Sequence, residues 1–411
     1  MREGFFRAVS TADFTDLLRG FAPLGAETVD LDQAHGRFLA EDIVPAENLP
    51  AADRASMDGY AVRAAEVFGA GETNPAYLDL AMDIPIGTRP EKPLPPGGCA
   101  RIVTGALLPT GADAVVMVEY TEDMGAGAIE IRRPVAPGDN VLLAGEDASE
   151  GRLVLAAGTR LRPQEIGMLA ALGHARVAVG QRPRVAVLST GDELVPITAT
   201  PTPGQIRDVN THALLAMVRA AGAEPTAFPL VPDDLDGIHA ALETATAQYD
   251  LTLLSGGSSV GARDYTLDAL CRLGADILAH GVAISPGKPT ILGRVGGKPV
   301  LGLPGQVASA QVVMLIFGLP LVRHLAGDIV AFDREPATFP AELSRNVAST
   351  QGREDHVRVC LEQRSGQPPL AHPVLGKSGL LKTLLLADGL ITIPADREGL
   401  VGGTVVPVRP L

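Results

Sequence analysis

The sequence predicts a multidomain α/β plus β protein with four parts. These are a central, mainly parallel α/β sandwich domain, a discontinuous helical domain, a β-rich inserted domain and a C-terminal β-barrel-like domain. Three observations carry this prediction. From about residue 184, apolar strand candidates (RVAVLST, AEPTAFPLV, YDLTLLSGG, KPVLGLPG) alternate with helix candidates (THALLAMVRAAG, LDGIHAALETATA, YTLDALCRLG, VASAQVVMLIFGL). That alternation belongs to a mainly parallel sheet covered on both faces. Between residues 76 and 131, strand candidates (LDLAMDIPIG, CARIVTG, ADAVVMVE, AIEIRR) follow one another across Pro/Gly turns with no helix between them, as in a small β-rich domain. After about residue 328 short strands return (FPAEL, DHVRVCLE, GLITIP, GTVVPVR).

Taken in order, Ser10 and the residues up to Asp13 resemble a capping box, and Phe14, Leu17, Leu18 and Phe21 follow at helical spacing, predicting a first helix of about three turns. Residues 28–31 read as a short strand and 33–40 as a helix. The stretch VPAENLPAADRASMDGYAV is loop-like around Pro45 and Pro50 and closes on a strand at 60–62. Within 158–171, Pro163 marks the first turn of another helix, which is expected to pack with the N-terminal one. The domains then fall at 1–46 together with 149–181 (discontinuous), 47–148 (β-rich), 182–327 (α/β) and 328–411 (C-terminal β). A length of 411 residues agrees with two to four domains at about 150 residues each.

Composition excludes several classes. The formal net charge of −14 argues against a nucleic-acid or membrane-surface role, both of which need basic faces. Cys99, Cys271 and Cys360 are scattered and form no metal or disulfide spacing, which points to a reducing, cytoplasmic setting. The N-terminus MREGFFRAVSTADF has no apolar core of signal-peptide length. The apolar run VVMLIFGLPLV falls short of the ~20 residues that span a bilayer.

The candidate chemistry gathers at strand ends. The strand at 251–254 runs into the Ser/Gly loop SGGSSVG, and glycines there let backbone N–H groups approach an anion. Arg263 and Asp264 follow it; Asp264 is equally a metal ligand or a helix cap. STGDE (189–193) and LPGQ (303–306) also end strands, so three loops are expected to converge on one sheet edge. Asp192 or Glu193 either caps the next segment or reaches over that edge. Asp233 and Asp234 read first as helix caps. Lys288, between the two prolines of SPGKP, suits phosphate or oxyanion binding, with a solvated surface lysine as the alternative. Asp58 in MDGY and Thr104 in VTGA read as turn residues by default. The eight histidines make no metal spacing.

The collinear succession SMDGYAV, RIVTGALLPTGADAVV, GEDASEG, VAVLSTGDELV, GQIRDVN, LSGGSSVGARDYT, AISPGKP, GLPG and SGLLKTLLLADGLITIP resembles the molybdopterin molybdenumtransferase family, to which the E domain of gephyrin belongs. The resemblance covers nearly the whole chain. It implies a molybdopterin-binding type of α/β domain in a four-domain homodimer whose cleft is shared between subunits. The reaction it implies is insertion of molybdate into adenylylated molybdopterin, with magnesium, releasing AMP and molybdenum cofactor; transient contact with the pathway's adenylyltransferase is a further implied partner. Carried onto this sequence, the catalytic positions are Asp58, Thr104, Asp147, Glu193, Asp233, Asp264 and Lys288. Glu193 and Asp264 would hold magnesium. Ser255, Gly256, Gly257, Ser258 and Gly261 would cradle the pterin phosphate or pyrophosphate, and Ser285, Gly287, Pro304 and Gly305 would line the neighbouring oxyanion loops.

Two departures stand out. The family reads KPGKP where this chain has Ser285 at the first position, and GLPGNPVSA where this chain has Gln306 and Val307. Both bear on molybdate capture more than on pterin binding. They open the alternative of a catalytically weakened paralogue that binds or carries molybdopterin or the finished cofactor.

Overall fold

The computed structural model describes residues 8–256 and 265–411. The chain divides into two compact units, one of residues 1–40, 158–162 and 177–411, the other of residues 41–157 and 163–176. Helix α1 (Thr11–Arg19) starts where predicted, with the Ser10 hydroxyl accepting from the Asp13 N–H, and ends after about two and a half turns. Strand β1 (Ala26–Asp30) follows. The helix expected over 33–40 does not form: one 3-10 turn (Leu31–Gln33) gives way to single bridges from Phe38 to Arg160 and from Leu39 to Val179. Tertiary pairing has overridden local propensity there.

The smaller unit contains β2 (Arg54–Ala55), β3 (Gly59–Val62), β4 (Ala76–Ile84), β5 (Gly98–Ile102), β6 (Ala114–Met117), β7 (Thr121–Asp123), β8 (Ala128–Ile131), β9 (Val141–Leu142) and α2 (Pro163–Ala171). Six of the strands form one sheet in the order β6-β3-β5-β4-β8-β7, antiparallel except for β4 with β5. It is packed on both faces: Tyr60 and Val62 point into one apolar cluster and Ala61 into another. β2 pairs antiparallel with β9, and the Gly145 and Asp147 N–H groups donate to the Pro50 and Leu49 carbonyls, which sets the turn carrying Asp147 beside the chain entering β2. α2 falls in this unit and α1 in the other.

The larger unit continues with β10 (Arg176–Gly180), which pairs with β1. After it come β11 (Arg184–Ser189), β12 (Leu194–Val195), β13 (Ile206–Arg207), α3 (Asn210–Ala220), β14 (Glu224–Ala227), α4 (Leu235–Gln248), β15 (Leu251–Ser255) and α5 (Tyr265–Arg272). Next are β16 (Asp276–His280), β17 (Ile284–Ser285), β18 (Ile291–Val295), β19 (Lys298–Leu303), α6 (Val307–Val313) and α7 (Leu319–Leu325). The main sheet runs β14-β11-β15-β19-β18-β16; the first four strands are parallel, and β18 and β16 add antiparallel.

Both faces are covered, as the apolar strands predict. In β11, Val185 and Val187 pack with α1, α3 and the α6–α7 helices, where Phe14 meets Phe317 edge-on at 4.7 Å. Ala186 and Leu188 pack on the other face with α4 and α5. A helical stretch over Val307–Leu325 is long and apolar enough to cross a membrane, but most of it is buried in this core.

The chain ends in β20 (Phe339–Leu343), β21 (Val347–Ala348), β22 (Glu354–Glu362), β23 (Leu370–Pro373), α8 (Lys382–Leu385), β24 (Gly389–Ile393), β25 (Gly399–Leu400) and β26 (Val405–Pro410). Pairing of β22 with both β23 and β24 closes a five-stranded barrel through β20 and β26. Val359, Ile391, Ile393 and Val408 fill it. The two-residue strand β17, from the α/β part, joins this barrel by pairing parallel to the start of β22.

Candidate functional site

Register fixes the site. In the parallel part of the sheet Ser189 lies opposite Ser255, and Ser255 opposite Leu303, so β11, β15 and β19 end level with one another. Their loops open into a cavity of about 1110 Å³. This is where an open α/β sheet presents ligand-binding groups, and the three-loop convergence expected from the sequence is the geometry found.

Gly256 makes the closest approach. Its φ is +110°, and a Cβ built on it would lie 2.1 Å from the carbonyl oxygen of Thr190, so β15 can turn beside β11 only without a side chain. The Thr190 N–H in turn donates to the Ser255 carbonyl at 3.0 Å. Asn210, at the start of α3, ties two of the loops together: its Nδ2 lies 2.7 Å from Ser255 Oγ and 2.8 Å from the Gly305 carbonyl oxygen. Its Oδ1 is buried without a hydrogen-bond partner among the described residues, at a cost on the order of 1–3 kcal/mol. Asp208 supports this helix start by accepting from the Thr211 N–H at 3.1 Å.

The acids divide their roles. Asp234 caps α4, its Oδ1 accepting from the Gly237 N–H at 2.7 Å. Its neighbour Asp233 lines the cavity instead, accepting from Thr190 Oγ1 at 2.5 Å while its own N–H donates to Asp192 Oδ1 at 3.1 Å. Glu193 is exposed on the cavity wall. Its carboxylate has neither a cation nor a hydrogen-bond donor beside it among the described residues.

Lys288 comes from the loop after β17. Gly287 packs tightly beneath it: a Cβ there would meet Val313 Cγ2 at 2.6 Å and Ile284 Cδ1 at 2.7 Å. Thr290 Oγ1 donates to the Gly287 carbonyl at 2.6 Å. The Lys288 side chain is exposed on the cavity and has no carboxylate partner among the described residues. Ser285, Gly287, Pro304 and Gly305 line the same cavity, as do Gln306 and Val307.

The barrel contributes what the sequence reading missed. Arg353 and Ser378 also line the cavity. Arg353 is ion-paired with Asp355 at 2.9 Å, and Asp355 stands opposite Ser285 in the β17–β22 pairing. The Ser378 carbonyl accepts from the Ala308 N–H at 3.0 Å, which fixes its loop to the start of α6.

The smaller unit brings a second set together. Asp58 Oδ1 accepts from the Thr104 N–H at 2.7 Å and from its hydroxyl at 2.8 Å. The backbone bond first, and then the hydroxyl bond, hold the Asp58 carboxyl below the usual carboxylate range. Asp58, Thr104 and Asp147 are all exposed. Gly257, Ser258, Gly261 and Asp264 lie outside the described residues.

Comparison with known proteins agrees with this geometry. A family model described as the MoeA N-terminal region (domain I and II) matches residues 9–173. A probable molybdopterin binding domain matches 186–324, and the MoeA C-terminal region (domain IV) matches 340–411. Molybdopterin molybdenumtransferase 2 of Mycobacterium tuberculosis is 37% identical over 406 residues, covering 96% of this chain and 97% of its own. The molybdopterin molybdenumtransferase of a Nostoc species is 40% identical over 390 residues, covering 94% and 88%. The crystal structure of a molybdopterin biosynthesis moeA protein from Pyrococcus horikoshii superposes with a TM-score of 0.83 at 31% identity, over 98% of this chain and all of that one.

Proposed function

The chain belongs to the molybdopterin molybdenumtransferase family, and from that premise we propose that it inserts molybdate into adenylylated molybdopterin, with hydrolysis of the adenylate to release AMP and molybdenum cofactor. The observation that carries this reading is the cavity at the level ends of β11, β15 and β19, with the ammonium of Lys288 on its wall and no carboxylate paired with it among the described residues. A cation without a carboxylate partner, in an acidic chain, is available to an anion. In this reading Lys288, Ser285, Arg353 and Ser378 bind the oxyanion. Ser255 and Gly256 hold the pterin phosphate or pyrophosphate, with Gly257, Ser258 and Gly261 continuing that cradle, while Pro304 and Gly305 line the oxyanion side.

The donor chemistry suits magnesium: Glu193 and Asp233 both line the cavity, the described residues hold no cluster of three metal-ligating side chains, and this ion uses one or two carboxylates together with substrate phosphates. Glu193, with Asp264, would hold it, and when bound it would neutralise charge on those phosphates. Asp233 is held by the Thr190 hydroxyl. Asp58, Thr104 and Asp147 complete the site from the partner subunit of a homodimer, and their exposure together with the fixed Asp58–Thr104 pair supports that role. The four-domain division and a cytoplasmic setting belong to the same proposal. The separate family matches and the closed barrel support the first, and the unclustered cysteines the second.

Ser285 favours a second reading, a paralogue that binds pterin without efficient insertion. Arg353 offsets this in part, because its guanidinium stands on the wall beside the loop that lacks the lysine, although it is already paired with Asp355. The decisive experiment mixes the purified protein with adenylylated molybdopterin, molybdate and magnesium. Molybdate-dependent release of AMP is expected; tight pterin binding without it would replace the enzyme by the carrier. Ser285→Lys should lower the apparent KM for molybdate by about 10-fold, the worth of ~1.4 kcal/mol from a charge-assisted bond. An unchanged KM would show that position 285 does not touch the oxyanion.

A further inference from the structure

Asn210 and Ser255 meet at the cavity in an arrangement that fixes the direction of a hydrogen bond. One Nδ2 hydrogen of Asn210 is given to the Gly305 carbonyl, a group that can only accept, so the amide cannot be turned over. The other Nδ2 hydrogen therefore points at Ser255 Oγ, 2.7 Å away, and Ser255 must accept it. With that lone pair taken, the Ser255 hydroxyl proton has to be donated elsewhere. Ser255 is 2% exposed and lines the cavity, and among the described residues nothing accepts its proton. A buried hydroxyl with an unspent proton, aimed by a locked amide, is a donor waiting for an acceptor.

We propose that Asn210 is a positioning residue that presents the Ser255 hydroxyl as a hydrogen-bond donor to a phosphoryl oxygen of the substrate. This rests on the proposed function above and assigns a task to a residue that it left without one. An anionic acceptor takes the Ser255 proton, whereas a donor group could use only the second Ser255 lone pair and would leave that proton unspent. The site thus selects for a phosphoryl oxygen at this point of the cavity. The phosphate can belong to the pterin or to the nucleotide, and the two are separable by experiment.

The test is a double-mutant cycle at equilibrium, with dissociation constants for molybdopterin and for AMP measured separately on the full-length wild type, Asn210→Ala, Ser255→Ala and the double variant. Each single substitution should weaken one of the two ligands by about 10- to 150-fold, the range for a hydrogen bond to a charged acceptor. The double variant should be no weaker than Ser255→Ala alone, because Asn210 acts through Ser255. Asn210→Asp, which reverses the bond so that Ser255 donates to the carboxylate, should weaken binding at least as much as Asn210→Ala. If Asn210→Ala does not fold, Asn210→Ser takes its place in the same cycle.

Independent, multiplying losses, or single variants that bind both ligands like wild type, would overturn the inference. Molybdate-dependent AMP release by the wild type in that case would leave the proposed function standing. A wild type that bound neither molybdopterin nor AMP would remove both.

Discussion

Lys288→Ala should lower kcat/KM for molybdate by about 10- to 150-fold, the loss of one charge-assisted contact to an anion. Global stability should stay within about 0.5 kcal/mol of wild type. The separation of these effects follows from the structure. The side chain is exposed on the cavity and forms no ion pair among the described residues, so its removal strands no buried partner. The loop itself is held by other groups, namely Gly287 against Val313 and Ile284, Thr290 on the Gly287 carbonyl, and the Val282 N–H donating to the Lys288 carbonyl at 2.9 Å. Steady-state kinetics over a molybdate series, with thermal unfolding alongside, checks this. Equal activity would return Lys288 to the surface lysines, and a large loss of stability would mean the loop depends on it.

Gly256→Ala should act in the opposite way, on structure first. A methyl group 2.1 Å from the Thr190 carbonyl, on a residue at φ +110°, forces β11 and β15 apart at the point where they end level. The neighbouring chain has little room to yield, since Thr190 is bonded to Ser255 on one side and bridges Val231 on the other. A cost of about 2–4 kcal/mol is expected, together with loss of AMP release, because the same shift moves Ser255 and Thr190. Differential scanning calorimetry and the release assay measure the two effects. An alanine variant as stable and active as wild type would mean that the two strand ends can separate without consequence.

The sequence revealed what repeats or punctuates. The strand–helix alternation after residue 184 required level parallel strands, and the registers Ser189–Ser255 and Ser255–Leu303 are its result. Ser10 and Pro163 marked helix starts because capping and first-turn proline are local chemistry. What escaped was decided at long range. Residues 33–40 have helical spacing yet bridge to Arg160 and Val179 instead. Asp233 and Asp234 are indistinguishable in VPDDLDGI, and only the Thr190 hydroxyl on one and the Gly237 N–H on the other separate them. Asn210 stood in the quoted GQIRDVN, but its two acceptors lie 45 and 95 residues away. Arg353 sits in the charged turn QGRED, where no periodicity distinguishes it, and β17 is too short to show any.

That short strand has a kinetic meaning. Ile284 and Ser285 pair with Glu354 and Asp355, the Glu354 N–H donates to the Ala283 carbonyl at 2.9 Å, and the Thr11 hydroxyl bonds Glu354 from α1. A loop built from glycine and proline would ordinarily fray with a free energy near zero. Here its backbone is sewn to the strand that closes a barrel, so the loop can open only when that seam breaks. Opening of the loop beside Lys288 is therefore expected to be coupled to opening of the barrel, and hydrogen exchange at the Glu354 amide would report it.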